Sequence, residues 1–246
     1  MNNDYQHVLL RLREERERQN LTQRLLCYRM RIQQSHFSKA ETGHRYFTYQ
    51  ELEGLCTSDV DVLYVFTGKR AVGQKFPEPQ SLDAKEAICC LNTVYTLTHT
   101  AWFMHRDNPS FELIQQNLRY IPCGNEKKGI KSNIFFYMRN CCGYTQQKMA
   151  DILGVDIKKL RELEKGRLLP DSGLIWKMYD RFHVSPAFIL KDARGLWNEL
   201  NYVLDLMDAG DRTIILRILE NEHKLLRNVS QRQRSPRNRT RDRLSE

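Results

Sequence analysis

Residues 144–166, YTQQKMADILGVDIKKLRELEKG, leave the backbone few choices. Met149, Ile152 and Leu153 recur at helical spacing and form one apolar stripe. Gly154 follows at once and ends that helix, because glycine takes the left-handed conformation at little cost. Asp156 offers a side-chain oxygen to cap a second helix, with Leu160 and Leu163 facing inward. Its outward face carries Lys158, Lys159 and Arg161. The pattern therefore predicts two short helices joined by a tight turn, the second cationic near its exposed N-terminal end.

The pattern occurs twice. Residues 21–43, LTQRLLCYRMRIQQSHFSKAETG, align with the first stretch at a constant offset. Thr22 pairs with Thr145, Gln23 with Gln146, Leu26 with Met149 and Ile32 with Val155. Phe37 pairs with Leu160, Glu41 with Glu164 and Gly43 with Gly166. This many coincidences imply two homologous helical domains. The first copy departs in three ways. Arg31 stands where Gly154 stands in the second, which strains a left-handed turn. Gln33 occupies the capping position. The opening helix runs about one turn longer before Leu21.

Residues 144–166 resemble the lambda-repressor/Cro-like (XRE) helix-turn-helix family. That family's pattern runs L-T-Q, two residues, L-A, two residues, L-G-V-S, then I-S-K, one residue, E-N-G. Thr145, Gln146, Ala150, Leu153, Gly154, Val155, Glu164 and Gly166 match it without gaps. Met138, Arg139 and Gly143 fall where the family's first helix has Leu-Arg and its closing Gly, and Arg167, Pro170 and VSPAFIL resemble its fourth and fifth helices. The resemblance covers roughly residues 130–190. It implies that the second helix enters the major groove of double-stranded DNA. Gln146 and its counterpart Gln23 would hold a phosphate beside a helix N-terminus. Reading positions carried over are Gln34, Ser35, His36, Ser38 and Lys39 in the first copy. In the second they are Ile157, Lys158, Lys159, Arg161 and Glu162, with Lys165 and Arg167 at the helix end. Glutamine can pair with adenine, whereas Lys and Arg favour guanine or phosphate. Two copies that both contact DNA would read different half-sites. Glu41 and Glu164 are expected to be structural, and Gly43 and Gly166 to end the second helix of each pair.

Charge points to the same segment. The chain carries a formal net charge of +9. Residues 127–195 hold 14 Lys/Arg against 7 Asp/Glu, and residues 227–246 hold 7 against 2. Residues 71–126 and 196–226 are net acidic. A basic excess confined to the second copy and the tail is the footprint of phosphate contact, with protein contact expected of the acidic blocks. No apolar run is long enough for a membrane span, and no signal peptide is evident. The seven cysteines, among them the adjacent pairs Cys89, Cys90 and Cys141, Cys142, lack metal-ligand spacing and read as reduced thiols, mostly in the core. There is no phosphate-binding glycine loop, nucleophile motif or cofactor signature, so no enzyme, metal or cofactor is expected.

Organisation follows from turns and periodicity. Residues 5–69 form the first, divergent helix-turn-helix domain. Its first helix has Val8, Leu9 and Leu12 inward and the run REERER on a solvated face. Thr48 and Glu51 make a capping box for a fourth helix, and Val60, Leu63, Val65 and Phe66 form a closing helix stopped by Gly68. Residues 70–129 form a linker and a helical hairpin, with Ala87, Ile88, Leu91, Val94, Tyr95 and Leu97 inward. A second hairpin helix is expected from Ser110 or Pro109 to Leu118, and a loop at 122–129. This block is expected to pack the domains together or one chain on another. Residues 130–191 form the second helix-turn-helix domain. Residues 192–228 form another hairpin, with Leu196, Leu200, Val203, Leu204 and Met207 facing Ile214, Ile215, Ile218, Leu219, Leu225 and Leu226, and Asp211 capping its second helix. In the family such a hairpin often dimerises the protein; local packing within one chain is the alternative. Residues 229–246 are arginine-rich and disordered, either a nucleic-acid arm or a solubilising end.

The sequence thus predicts an all-α chain with two lambda-repressor-like domains, a helical linker block, a C-terminal hairpin and a basic tail. It predicts a DNA-binding transcriptional regulator, bacterial or phage, cytoplasmic and nucleoid-associated. A homodimer is expected through 192–228 or 83–120. The competing reading is a protein-interaction module that binds a toxin, RNA polymerase or another regulator.

Overall fold

Helical periodicity, helped at several starts by side-chain caps, accounts for the regular elements among the described residues. The computed structural model describes residues 5–73, 84–104, 112–114 and 133–234, with backbone alone for 102–104, 223 and 226–234. Among the described residues the protein is all helix, with no strand. The first five helices are α1 (Gln6–Arg18), α2 (Gln23–Met30), α3 (Gln34–Glu41), α4 (Tyr49–Cys56) and α5 (Val62–Thr67). Then comes α6 (Ala84–Met104). The next five are α7 (Ile134–Cys141), α8 (Gln146–Leu153), α9 (Ile157–Glu164), α10 (Ser172–Phe182) and α11 (Pro186–Leu190). The last two are α12 (Ala193–Asp205) and α13 (Ala209–Arg234).

The sequence repeat is also a repeat of structure. α2 begins at 23 and α8 at 146, α3 begins at 34 and α9 at 157, a spacing of 123 residues in both cases. The caps explain the shared boundaries. The hydroxyls of Thr22 and Thr145 accept the backbone N–H groups of Leu25 and Lys148, each at 3.1 Å. Asp156 caps α9 by accepting the Lys159 N–H at 2.7 Å, whereas Gln33 makes no side-chain cap for α3. Thr48 and Glu51 form the reciprocal box. Gly154 ends α8 at φ 61°, and Arg31 ends α2 at φ 56°. A non-glycine residue there costs about 1 kcal/mol or more. α1 has 13 residues to eight in α7, so the first unit's opening helix is the longer by just over a turn.

The two five-helix units share one hydrophobic core. Leu12, Leu26, Phe37 and Leu52 belong to the same buried cluster as Met149, Leu153, Leu160, Leu163 and Ile175. Polar bonds stitch the seam. The Tyr5 hydroxyl lies 2.5 Å from Ser172 Oγ, which also accepts the Phe47 N–H at 3.0 Å. The Ser172 N–H in turn donates to the Phe47 carbonyl at 2.9 Å. Tyr5 packs edge-on against Tyr46 and Trp176. A Cβ at Gly173 would lie 2.6 Å from the Tyr46 ring, so glycine alone lets the units approach this closely. The units thus touch each other directly at this seam.

α6 instead completes a second core with α12 and α13. Ala87, Cys90, Leu91 and Val94 pack with Leu196, Leu200, Val203, Leu204, Met207, Ile215 and Leu219. Much of the stripe on 192–228 is filled from within the chain. Ile214, Ile218 and Leu225 turn outward instead. Burying an apolar stripe of this kind is the main stabilising term for an amphipathic hairpin, at about 25 cal/mol per Å². Four other expectations change. The side chain of Asp208, not Asp211, accepts the Asp211 N–H at the start of α13. α13 continues through Arg234, so residues 229–234 are helical; residues 235–246 lie outside the described residues. REERER is not wholly solvated, because Glu15 is fully buried. It accepts from Arg18 at 2.8 Å, from Arg70 at 2.5 Å and from the Asp61 N–H at 3.2 Å. Burial alone would raise its pKa, but these donors outweigh burial and hold the carboxyl at about 2. Arg70 and Lys69 are thus packed residues, not free linker. Most of the predicted helix from Ser110 or Pro109 to Leu118, and the loop at 122–129, lie outside the described residues. Ile114 is buried in the second core.

Glu199 on α12 is another buried carboxyl with a displaced pKa. Burial pushes it up to about 7, although the bond with Ser185 and the charge of Lys69 act against that rise. Lys69 lies 5.1 Å from the Tyr179 ring and 5.7 Å from the Tyr202 ring. The folded-state value is above the unfolded one, so this carboxyl's contribution to stability is complete below pH about 4.5. It is lost as the pH climbs through about 7. Glu199→Gln is therefore expected to melt near wild type at pH 5 and to be the more stable protein at pH 8. The difference should reach about 3 kcal/mol, read by thermal denaturation across that range. A gap that does not change with pH would contradict the assignment.

Candidate nucleic-acid interface

The geometry around α9 begins with a buried acid. Glu164 accepts from Arg139 Nε at 2.5 Å and from Gln146 Nε2 at 3.0 Å. Arg139 Nη1 also donates to the Tyr144 carbonyl at 3.3 Å. The first unit repeats the arrangement. Glu41 accepts from Arg16 Nε at 3.0 Å and from Gln23, and Arg16 Nη1 reaches the Leu21 carbonyl at 3.0 Å. Each network ties the first helix of its unit to the start of the second helix and the end of the third. The expectation that Glu41 and Glu164 are structural agrees with these bonds. Gly43 and Gly166, at φ 81° and 67°, lie just beyond the third helix of each unit, as their spacing predicted.

Both glutamines are therefore held. Gln146 gives one N–H to Glu164, and its carbonyl oxygen accepts from Arg161 Nε at 3.1 Å. An amide carries two N–H donors, so one is left over for an anion. Gln23 has the Glu41 bond, but the residue equivalent to Arg161 is Ser38, which has no guanidinium to offer.

α9 buries Leu160, Leu163 and Glu164 and exposes Lys158 and Arg161, followed by exposed Lys165 and Arg167. Lys159 is half-buried and pairs with Asp171 at 3.6 Å. Glu162 lies 3.5 Å from Lys165 and 3.6 Å from Arg167. Exposed pairs of this type contribute about 0–1 kcal/mol, so exchanging one for a phosphate costs little. On α3, Gln34, Ser35, His36 and Lys39 are exposed, Ser38 is half-buried, and Phe37 and Ala40 form the inner side. Each predicted set thus falls on one short helix, but the two helices differ in chemistry. One cation outside the predicted sets is Lys148, exposed on the first turn of α8 beside Gln146. Its place in that turn was the available signal. Tyr28, on the first unit's α2, is exposed as well.

Among the described residues no group of three His, Cys, Asp or Glu side chains could hold a metal ion. No helix among them is long and apolar enough to cross a membrane. Cys27 and Cys90 are buried as expected, and burial pushes the Cys90 thiol up to about 12. Cys141 and Cys142 are exposed at the end of α7, contrary to the core placement expected of most cysteines. No protein-family model, curated protein or solved structure matches this chain.

Proposed function

We propose that the chain is a sequence-specific binder of double-stranded DNA that regulates transcription by occupying an operator or promoter. This reading keeps the resemblance to lambda-repressor/Cro-like helix-turn-helix domains, and with it a cytoplasmic, nucleoid-associated protein. The observation that carries it is the division of α9: one side is locked into the core beside a buried Arg139–Glu164 pair, and the other presents Lys158 and Arg161. A rigid helix with cations at its exposed N-terminal end fits the major groove, where Lys and Arg recognise guanine. Gln146 and Lys148, at the start of α8, would hold the adjacent phosphate backbone.

Salt dependence tests this. Each neutralised phosphate contributes about −0.9 to the slope of log K against log salt. Four to six backbone contacts predict a slope of about −4 to −5 in fluorescence-anisotropy titrations of labelled duplex. A slope near zero, or equal binding to an acidic polypeptide and to duplex, would instead favour the rival in which these helices dock on protein, such as a toxin, RNA polymerase or another regulator.

A further inference from the structure

We propose that a single chain reads a bipartite, asymmetric DNA site, with α3 and α9 each taking one of two unlike half-sites at a fixed separation. This rests on the DNA-binding reading above and adds its stoichiometry and the composition of its target. Three observations carry it. The first is the continuity of the core across both units. The second is that equivalent parts meet. α5 and α11, the fifth helices of their units, pack on each other, and the Tyr49 hydroxyl of α4 donates to the Ile189 carbonyl of α11 at 3.2 Å. The fifth helices thus meet like with like, while the other bonds across the seam join unlike elements.

The third observation links the two reading helices through the seam. His36 and Lys159 occupy equivalent positions, each the third residue of its helix. Arg45 donates to the His36 carbonyl at 2.9 Å and to the Tyr46 carbonyl at 2.9 Å. The Tyr46 ring rests on Gly173. Two residues earlier, Asp171 caps α10 through the Leu174 N–H at 2.9 Å and pairs with Lys159. A short unbroken series of contacts thus runs from α3 to α9, and both helices flank the same seam. Their exposed residues differ: Gln34, Ser35, His36 and Lys39 on one, Lys158 and Arg161 with neighbouring Lys165 and Arg167 on the other. A glutamine-led half-site favours adenine and a Lys/Arg half-site favours guanine. A homodimer would bind a palindrome; this pair cannot, because its halves are not the same. The apolar stripe of α12 is already covered by α6, and Ile214, Ile218 and Leu225 of α13 remain exposed.

The test uses the full chain and duplexes selected from a randomised library, followed by native mass spectrometry of the complex. The expected result is one chain per duplex and a selected site with two dissimilar halves. Inserting about five base pairs, half a helical turn, between those halves should cut affinity by roughly 10²–10⁴-fold, because a rigid pair cannot engage both. Gln34→Ala should relax base preference by roughly 10- to 100-fold in one half only. Two chains on a palindrome, or a site covering one half alone, would overturn the pairing while leaving DNA recognition intact. Failure of the library to yield any duplex at low salt would overturn the DNA-binding reading itself.

Discussion

Lys158→Ala combined with Arg161→Ala is expected to abolish sequence-specific duplex binding and leave the melting temperature close to wild type. Both side chains are exposed on α9, and neither contributes to the core beneath it. Exposed substitutions usually change stability by no more than about 0.5 kcal/mol, and the bond lost here, from Arg161 to Gln146, is itself exposed. The Asp156 cap and the Leu160 and Leu163 anchors remain, so the helix stays in place. Binding should suffer far more. Each well-placed contact from Lys or Arg to a guanine edge supplies about 1–3 kcal/mol of discrimination, so losing two costs roughly 2–6 kcal/mol. Arg161 also orients the Gln146 carbonyl, and its loss frees that amide to rotate. An electrophoretic shift and a thermal melt on the same preparation check both halves of the expectation. Undiminished binding by a folded double variant would place the reading surface elsewhere.

Much of this architecture was legible because it is written locally. Thr22, Thr48, Thr145 and Asp156 cap the helices that directly follow them, and Gly154 ends the one before it, so a short window of sequence suffices. The 123-residue repeat then made each unit a check on the other. What escaped is non-local. Glu15 sits in a charged run that any composition argument places in solvent; its burial depends on Arg70, 55 residues away. Ser172 and Gly173 look like an ordinary helix start until Tyr5, Phe47 and Tyr46 are brought against them from the other unit. The hairpin at 192–228 showed an apolar stripe, but sequence cannot say which helix covers it, and here α6 does. At the candidate site the residue types on α3 and α9 were readable, whereas the grip of Glu41 and Glu164 on Gln23 and Gln146 required three helices to meet.

The shared core carries the second large effect. Glu41 is completely buried and pairs with Arg16, itself mostly buried. Glu41→Ala leaves that guanidinium with only the longer contact to exposed Glu17 at 3.5 Å as a carboxylate partner, and removes the partner of Gln23. Deleting one member of a buried ion pair costs about 3–5 kcal/mol, since the surviving charge stays desolvated. The loss originates in the first unit, yet the three tryptophans, Trp102, Trp176 and Trp197, all lie outside that unit. If the units fold as one body, the tryptophan-fluorescence midpoint in a urea titration falls together with the far-UV circular dichroism midpoint. If they fold separately, the dichroism splits into two steps and the main fluorescence transition stays where it is in wild type, apart from the change at Trp176 as Tyr5 leaves it. Coincident, displaced transitions are expected, because Leu26, Phe37 and Leu52 on one side and Met149, Leu160 and Ile175 on the other belong to a single buried cluster. On the proposed reading, such cooperativity would hold α3 and α9 at a fixed spacing on DNA, because neither unit could move without unfolding the other.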